Sequence, residues 1–292
     1  MERSSLIEPD SFATVTSFDG TRISYQLFGT GPTILFGNGI GVSWPGVRLQ
    51  IAHLRARFRV VCWDHRGIGA SDPPGSGGLN VDAQARDALA VLDALGAAPA
   101  GYIGWSMGVQ VGFEVLRQRP DAFARVACIG GVAGSPFRAA MPLPGLERVF
   151  PPLMDGLARL APYAAPILAP LISHTGFFRA ACLAGYISPH ADREVFMDMA
   201  RGVARHDARL YLRTLAELGR HEAEALLPEL GIPVLFLAGG RDHLTPRREL
   251  ERLASLVRNG SVHTVEDATH FVTIEAPDEV NRVLEQFFAK LG

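Results

Sequence analysis

Several specialised protein classes are excluded by what the sequence lacks. Only three cysteines occur in 292 residues. Cys62 and Cys128 fall in strand-like runs and Cys182 in an alanine-rich segment, none at disulfide or metal spacing, so all three are expected to be small buried hydrophobes. The nine histidines form no His-x-x-x-His pair and no Cys/His cluster, and no metal is expected. Charge of one sign is missing too: 28 basic against 30 acidic residues, a net −2, gives no case for nucleic acid or an anionic membrane surface as partner. No apolar run reaches the roughly 18 residues of a membrane span, and Met1 to Asp10 has no secretory apolar core, so a soluble cytoplasmic protein is expected. There are no internal repeats and no linker that would suggest an independent second domain.

What is present is a 48% hydrophobic chain, enough to bury a large α/β core. Residues 11–18 and 21–29 alternate apolar and polar side chains around Asp19-Gly20, the signal of an antiparallel hairpin. Thr33–Phe36 and Phe58–Trp63 then read as buried strands with a helical segment, Val47 to Arg57, between them, the pattern of a parallel sheet covered on both faces. The alternation continues. The pattern predicts a helix over 81–95 with Asn80 as N-cap and Gly96 past its end, a strand at Tyr102-Ile103, a helix over 107–118 ended before Pro120, and a strand over 125–129. Strands over 233–238 and 261–265 and helices over 246–257 and 277–290 close the chain. Between Gly131 and Arg220 strand patterns vanish, prolines crowd in and alanine/leucine-rich helical pieces dominate. The division expected is a core of residues 1–132 and 221–292 with a helical cap, 133–220, inserted after the sixth strand.

Gly104-Trp105-Ser106-Met107-Gly108 sits where a strand turns into a helix. A serine hydroxyl needs a base beside it and hydrogen-bond donors for the oxyanion before it can attack a carbonyl. Glycines two residues to either side let strand and helix approach closely around an exposed nucleophile, which assigns that role to Ser106. Downstream, Asp242 lies in Gly239-Gly240-Arg241-Asp242-His243-Leu244-Thr245-Pro246, after the seventh strand. His270 lies in Thr269-His270-Phe271-Val272-Thr273-Ile274-Glu275-Ala276-Pro277, after the eighth. Taken singly, Asp242 could cap the helix near Pro246 and His270 could be a buried strand-end histidine. Asp267 reads as part of a solvated turn and His243 as a loop residue.

Together these motifs, with Asp64-His65-Arg66-Gly67-Ile68-Gly69-Ala70-Ser71-Asp72, resemble the α/β-hydrolase fold superfamily over nearly all of the chain outside the cap. The resemblance implies an α/β fold with an eight-stranded, mostly parallel sheet and a Ser-Asp-His chain order, with Ser106 as nucleophile, His270 as base and Asp242 as acid. It implies oxyanion donors from the backbone of Met107 and, in the loop Gly37-Asn38-Gly39-Ile40-Gly41, of Ile40. Most of the family carries His-Gly where this chain has Asn38-Gly39, and Asn38 is expected to replace part of that histidine's hydrogen bonding. Asn38 and Trp105 are the candidate substrate contacts, although Trp105 also reads as packing of the elbow. The loop at Asp64 is expected to be structural, an Asp–Arg pair holding backbone groups in place.

A dinucleotide-binding reading of the Gly37–Gly41 loop fails because the third glycine position is Val42, and no cofactor is implied. The large cap residues Leu143, Leu146, Val149, Phe150, Leu153, Met154, Tyr163, Leu168, Phe177, Phe178, Tyr186, Phe196, Met197, Met199 and Tyr211 suggest cap core and an apolar pocket roof. Arg201, Arg205 and Arg209 at i, i+4 and i+8 read as one solvated helical face. The function expected is a serine hydrolase cleaving a small, largely apolar carboxylic ester, thioester or lactone through an acyl-enzyme. The alternatives are the same triad used for carbon–carbon hydrolysis, acyl transfer or cofactor-free peroxidase activity, or a non-enzymatic ligand receptor. Epoxide hydrolases and haloalkane dehalogenases of this fold need a carboxylate nucleophile, and position 106 is serine. The sequence leaves the oligomeric state open.

Overall fold

The computed structural model describes residues 7–140 and 145–291. Its strands are β1 (Ser11–Thr16), β2 (Arg22–Phe28), β3 (Thr33–Gly37), β4 (Arg59–Trp63), β5 (Ala100–Trp105), β6 (Phe123–Ile129), β7 (Val234–Gly239) and β8 (Gly260–Val265). They form one eight-stranded sheet in the order β1-β2-β4-β3-β5-β6-β7-β8. β2 pairs antiparallel with both β1 and β4, and every later pairing is parallel. β3, β5 and β7 are buried along their whole length, which is why they read as continuous apolar runs while β1 alternates.

The helices that cover the sheet are α1 (Arg48–Leu54), α2 (Val81–Leu95) and α3 (Met107–Gln118). α2 starts and ends where its caps dictate: the Asn80 side chain accepts the Ala83 N–H at 2.8 Å, and Gly96 takes the left-handed conformation, φ 55°. Among the described residues five α-helices follow between β6 and β7: α4 (Pro136–Ala140), α5 (Leu146–Ser173), α6 (Phe177–Leu183), α7 (Arg193–Arg205) and α8 (Ala208–Arg220). After β7 come α9 (Arg247–Leu256), the short α10 (Val272–Glu275) and α11 (Pro277–Phe288). One core, on the α2, α3 and α9 side, includes Leu92, Phe113 and Leu250; the other, on the α1 and α11 side, includes Ile51, Leu284 and Phe288 and continues into α6 and α7 through Phe178 and Phe196.

The two passages between sheet and inter-strand helices are tied together. The Ala223 N–H donates to the Ala133 carbonyl at 2.8 Å, and the Gln110 side-chain amide on α3 donates to the carbonyls of Gly134 and Leu218 at 3.0 Å each. His221 shares this junction, its Nε2 3.0 Å from Glu114 Oε2. Burial opposes ionisation of Glu114, but hydrogen bonds from His221, Arg117 and Gln118 hold its carboxyl down at about 2.

Three expectations are corrected. Arg201, Arg205 and Arg209 do not share a helix: α7 ends at Arg205, and Asp207 caps α8 by accepting the Arg209 N–H at 2.8 Å. Cys62 and Cys128 are buried, but Cys182 is half-buried, because α6 lies at the surface of the inter-strand helices. Of the large residues read as cap core and pocket roof, Val149, Leu153, Tyr163 and Leu168 are exposed to solvent. Leu143, Pro142 and Pro144 lie outside the described residues, as does the side chain of Leu146. Among the described residues no helix is long and apolar enough to cross a membrane.

Candidate active site

β5 delivers Ser106 to the start of α3 through a turn that costs backbone strain. Ser106 has φ 52° and ψ −114°, and it is the only non-glycine residue with positive φ among the described residues. The turn is possible because nothing larger than glycine fits beside it. A Cβ on Gly104 would stand 2.7 Å from the Gly108 carbonyl, and one on Gly108 would collide with the Gly37 carbonyl of β3. Gly108→Ala must therefore push α3 off the sheet. It is expected to cost on the order of 3 kcal/mol or more, read as a lowered urea midpoint.

The structure brings Ser106, His270 and Asp242 into one chain of hydrogen bonds at the carboxyl ends of β5, β7 and β8. Ser106 Oγ lies 3.0 Å from His270 Nε2, and His270 Nδ1 lies 2.9 Å from Asp242 Oδ2. Asp242 is 4% exposed and His270 9%. The first carboxylate oxygen of Asp242 accepts the N–H groups of Leu244 and Thr245 at 2.8 and 3.0 Å, and the second accepts the Thr245 hydroxyl at 2.5 Å. Asp242 thus orders the turn ahead of α9 and faces His270 at once. Burial alone would raise its carboxyl; the hydrogen bond and charge of His270, with the two Thr245 donors, hold it below the usual carboxylate range. An acid kept ionised against Nδ1 fixes the imidazole with its proton on Nδ1, leaving Nε2 free to accept from serine.

The loop carrying His270 is held from below. Trp105 Nε1 donates to the His270 carbonyl at 3.2 Å. Glu275 accepts the Thr269 hydroxyl at 2.7 Å and the Ser188 N–H, from the connection between α6 and α7, at 2.7 Å. Asp267 is 86% exposed and pairs with Arg241, away from the histidine, and His243 is exposed.

Above Ser106 lies a cavity of about 430 Å³, lined by both the sheet loops and the inter-strand helices. Ile40, Trp105 and Met107 line it with Ser106. Phe137, Phe150, Phe177, Phe196, Met199 and Phe271 make the wall apolar. Among the described residues, its polar side chains besides Ser106 and His270 are Gln110, Tyr186, Tyr211 and Thr245, and no arginine, lysine, aspartate or glutamate lines it. Burial pushes the Tyr211 phenol up to about 12, so it presents a neutral hydroxyl.

Asn38 is not on that wall. It is fully buried, its side-chain amide has no partner, and its backbone carbonyl lies 3.2 Å from His65 Nε2. His65 therefore ties the Gly37–Gly41 loop to β4, a role the sequence did not reveal although His65 stands inside the quoted loop motif. That loop is structural, but its ion pair is not the expected Asp64–Arg66. Asp64 accepts the Ala70 N–H at 3.0 Å, while Arg66, fully buried, binds Asp87 at 2.6 and 2.8 Å, Asp19 at 3.0 Å and the Gly78 carbonyl at 3.0 Å. Thr245 and Glu275 were also missed as supports, though Thr245 follows Asp242 at the three-residue spacing of a side-chain turn.

With fold and site in hand, the chain belongs to the α/β hydrolase fold family, whose model matches residues 32–277. Among curated proteins it is 30% identical over 259 residues to the putative carbamate hydrolase RutD of Agrobacterium fabrum, spanning 88% of this chain and 92% of the relative. It is 27% identical over 276 residues to 3-oxoadipate enol-lactonase 2 of Acinetobacter baylyi, spanning 93% and 94%. Among solved structures, the enol-lactonase from Burkholderia xenovorans superposes with a TM-score of 0.77 at 24% identity, covering 95% of this chain and all of that one, a likeness of fold.

Proposed function

We propose that the protein is a serine hydrolase that cleaves an uncharged, largely apolar carboxylic ester, thioester or lactone through an acyl-enzyme. The observation that carries this reading is the continuous chain Ser106 Oγ–His270 Nε2–Asp242, with its 3.0 and 2.9 Å links, at the floor of an apolar cavity. His270 Nε2 takes the proton as Ser106 Oγ attacks the acyl carbon, and Asp242 stabilises the imidazolium that forms. The oxyanion is received by the N–H groups of Met107, at the N-terminus of α3 where the helix dipole assists, and of Ile40. His270 then gives its proton to the leaving oxygen or sulfur. Water, deprotonated by the same nitrogen, releases the acid. Residues 133–220 act in this reading as the cap that roofs the site. The relatives support acyl chemistry, since a carbamate and an enol lactone both offer an acyl carbon to a nucleophile.

The cavity's lack of a charged wall supports an uncharged substrate: a carboxylate buried there would lose its hydration with no cation to meet it. A fluorophosphonate probe is expected to label Ser106, read by peptide mass spectrometry. With matched p-nitrophenyl esters, a butanoate should be hydrolysed at least ~100-fold faster in kcat/KM than a hemisuccinate, a difference of about 3 kcal/mol in transition-state stabilisation. Equal rates would sink the uncharged-substrate reading, and an unlabelled Ser106 in folded protein would sink the nucleophile.

A further inference from the structure

α5 is apolar on two opposite sides, and only one of them is covered. Met154, Ala158 and Ala161 are buried on the inner side, and Phe150 and Ile172 reach the cavity. The outer side exposes Val149 at 57%, Leu153 at 50%, Leu157 at 40%, Leu160 at 59%, Tyr163 at 79%, Ile167 at 69% and Leu171 at 61%, with Leu168, 49% exposed, flanking this row at its edge. Single exposed hydrophobics are ordinary, but seven in one row are not. At 3.6 residues per turn all seven fall within an arc of roughly 120°. No charged residue shares that arc, and none occurs in the sequence from Leu160 to Phe178.

The spacing of the row indicates what covers it. Among these seven, from Val149 to Leu171, the steps are 4, 4, 3, 3, 4 and 4 residues, a series that reads the same in both directions with Leu160 at its centre, and the flanking Leu168 has the exposed Pro152 as its counterpart across that centre. A second α5 laid antiparallel across a twofold axis at Leu160 sets Val149 against Leu171, Leu153 against Ile167 and Leu157 against Tyr163. Gly156 and Ala164 also fall opposite one another, and a Cβ added to Gly156 meets nothing within 4 Å, so the two backbones can close up there. The eleven-residue interval from Val149 to Leu160 repeats from Leu160 to Leu171, close to the period that keeps a stripe on one face of an α-helix. Self-complementarity of this kind is what a twofold, isologous interface requires. A lipid surface would need the apolar area but has no use for the symmetry.

We propose that the protein forms a twofold-symmetric homodimer through the outer stripe of α5. The stripe offers on the order of 800 Å² per protomer, near the area one partner contributes to a standard stable interface. The proposal stands apart from the chemistry assigned to Ser106. Its consequence for the site is that the partner would brace the helix whose inner side supplies Phe150 and Ile172 to the cavity wall.

Sedimentation equilibrium of the full chain tests it, with twice the single-chain mass expected. Leu160→Glu puts two carboxylates face to face on the axis and should raise the dissociation constant by roughly 100-fold or more, with an unchanged circular dichroism spectrum. Leu160→Cys should cross-link to itself under mild oxidation, whereas Leu183→Cys, 88% exposed but off the stripe, should not. A single-chain mass, or a dimer indifferent to Leu160→Glu, overturns the proposal. So does a monomer that binds phosphatidylcholine vesicles and loses that binding with Leu160→Glu, which would give the stripe to a lipid surface instead.

Discussion

Ser106→Ala is expected to lower ester turnover by 10⁴- to 10⁶-fold, about 5–8 kcal/mol of barrier, while leaving the fold intact. In the proposed mechanism the loss is large because the three groups act as a unit: without Oγ, a base at 3.0 Å would have no nucleophile to activate, and only binding and the proposed oxyanion donors would remain. The stability change is small and its sign depends on the replacement. Alanine removes one hydrogen bond but keeps a side chain at φ 52°, so the melting temperature should move by no more than ~4 °C. Ser106→Gly relieves the strain of that backbone and should be more stable than Ser106→Ala by about 1–2 kcal/mol while equally inactive. Chemical denaturation of both variants beside a p-nitrophenyl ester assay checks this. Glycine no more stable than alanine would mean that the turn stores no strain, and substantial turnover in either variant would remove Ser106 from the mechanism.

Such a contrast could be framed from the sequence because the elbow is a local feature. Gly104 and Gly108 stand two residues to either side of Ser106, and the apolar run before it and the periodicity after it are read within a dozen residues. The same locality made the ends of α2 and α3 legible: Asn80 and Gly96 bound one, and Pro120 limits the other. The order of Ser106, Asp242 and His270 was legible for another reason, that each follows a recognisable buried strand. What escaped is what long-range packing decides. Nothing local ties Arg66 to Asp19 and Asp87 rather than to Asp64 two residues away. Asn38 looks like a pocket residue in a glycine loop, and only its burial beneath the loop removes it from the cavity wall. In α5, five internal prolines argue against a single helix, since each forfeits a backbone hydrogen bond. The 28-residue helix persists because its inner side packs against α7 and α8. The break between α7 and α8 was readable in principle, since Asp207 is an ordinary N-cap residue, but the arginine spacing suggested continuity across it.

The Arg66 cluster carries the second large effect. Arg66→Leu is expected to destabilise the protein by about 3–5 kcal/mol at neutral pH, because it leaves Asp87, fully buried, beside Asp19 with no cation between them. Removing Arg86, whose pair with Asp82 is about half exposed on both sides, should cost no more than ~0.5 kcal/mol. The two carboxylates titrate in opposite directions. Burial raises the Asp87 carboxyl above its unfolded value even with Arg66 present. Asp19 is opposed by burial too, but hydrogen bonds from Thr21, Gly77 and Arg66 hold it well below. In the native protein Asp19 therefore contributes stability that is present above the unfolded carboxylate range and is lost as pH falls. Without Arg66 the Asp87 carboxyl rises further, so its protonated form is the one the fold tolerates, and stability is lost as pH rises through that raised value. The deficit of Arg66→Leu relative to the native protein should consequently be largest near pH 7 and shrink on acidification toward the ordinary carboxylate range near ~4. Urea titrations of both proteins across that interval measure the difference directly. A deficit that stayed constant, or grew, with falling pH would show that leucine fails by packing rather than by stranding a buried charge.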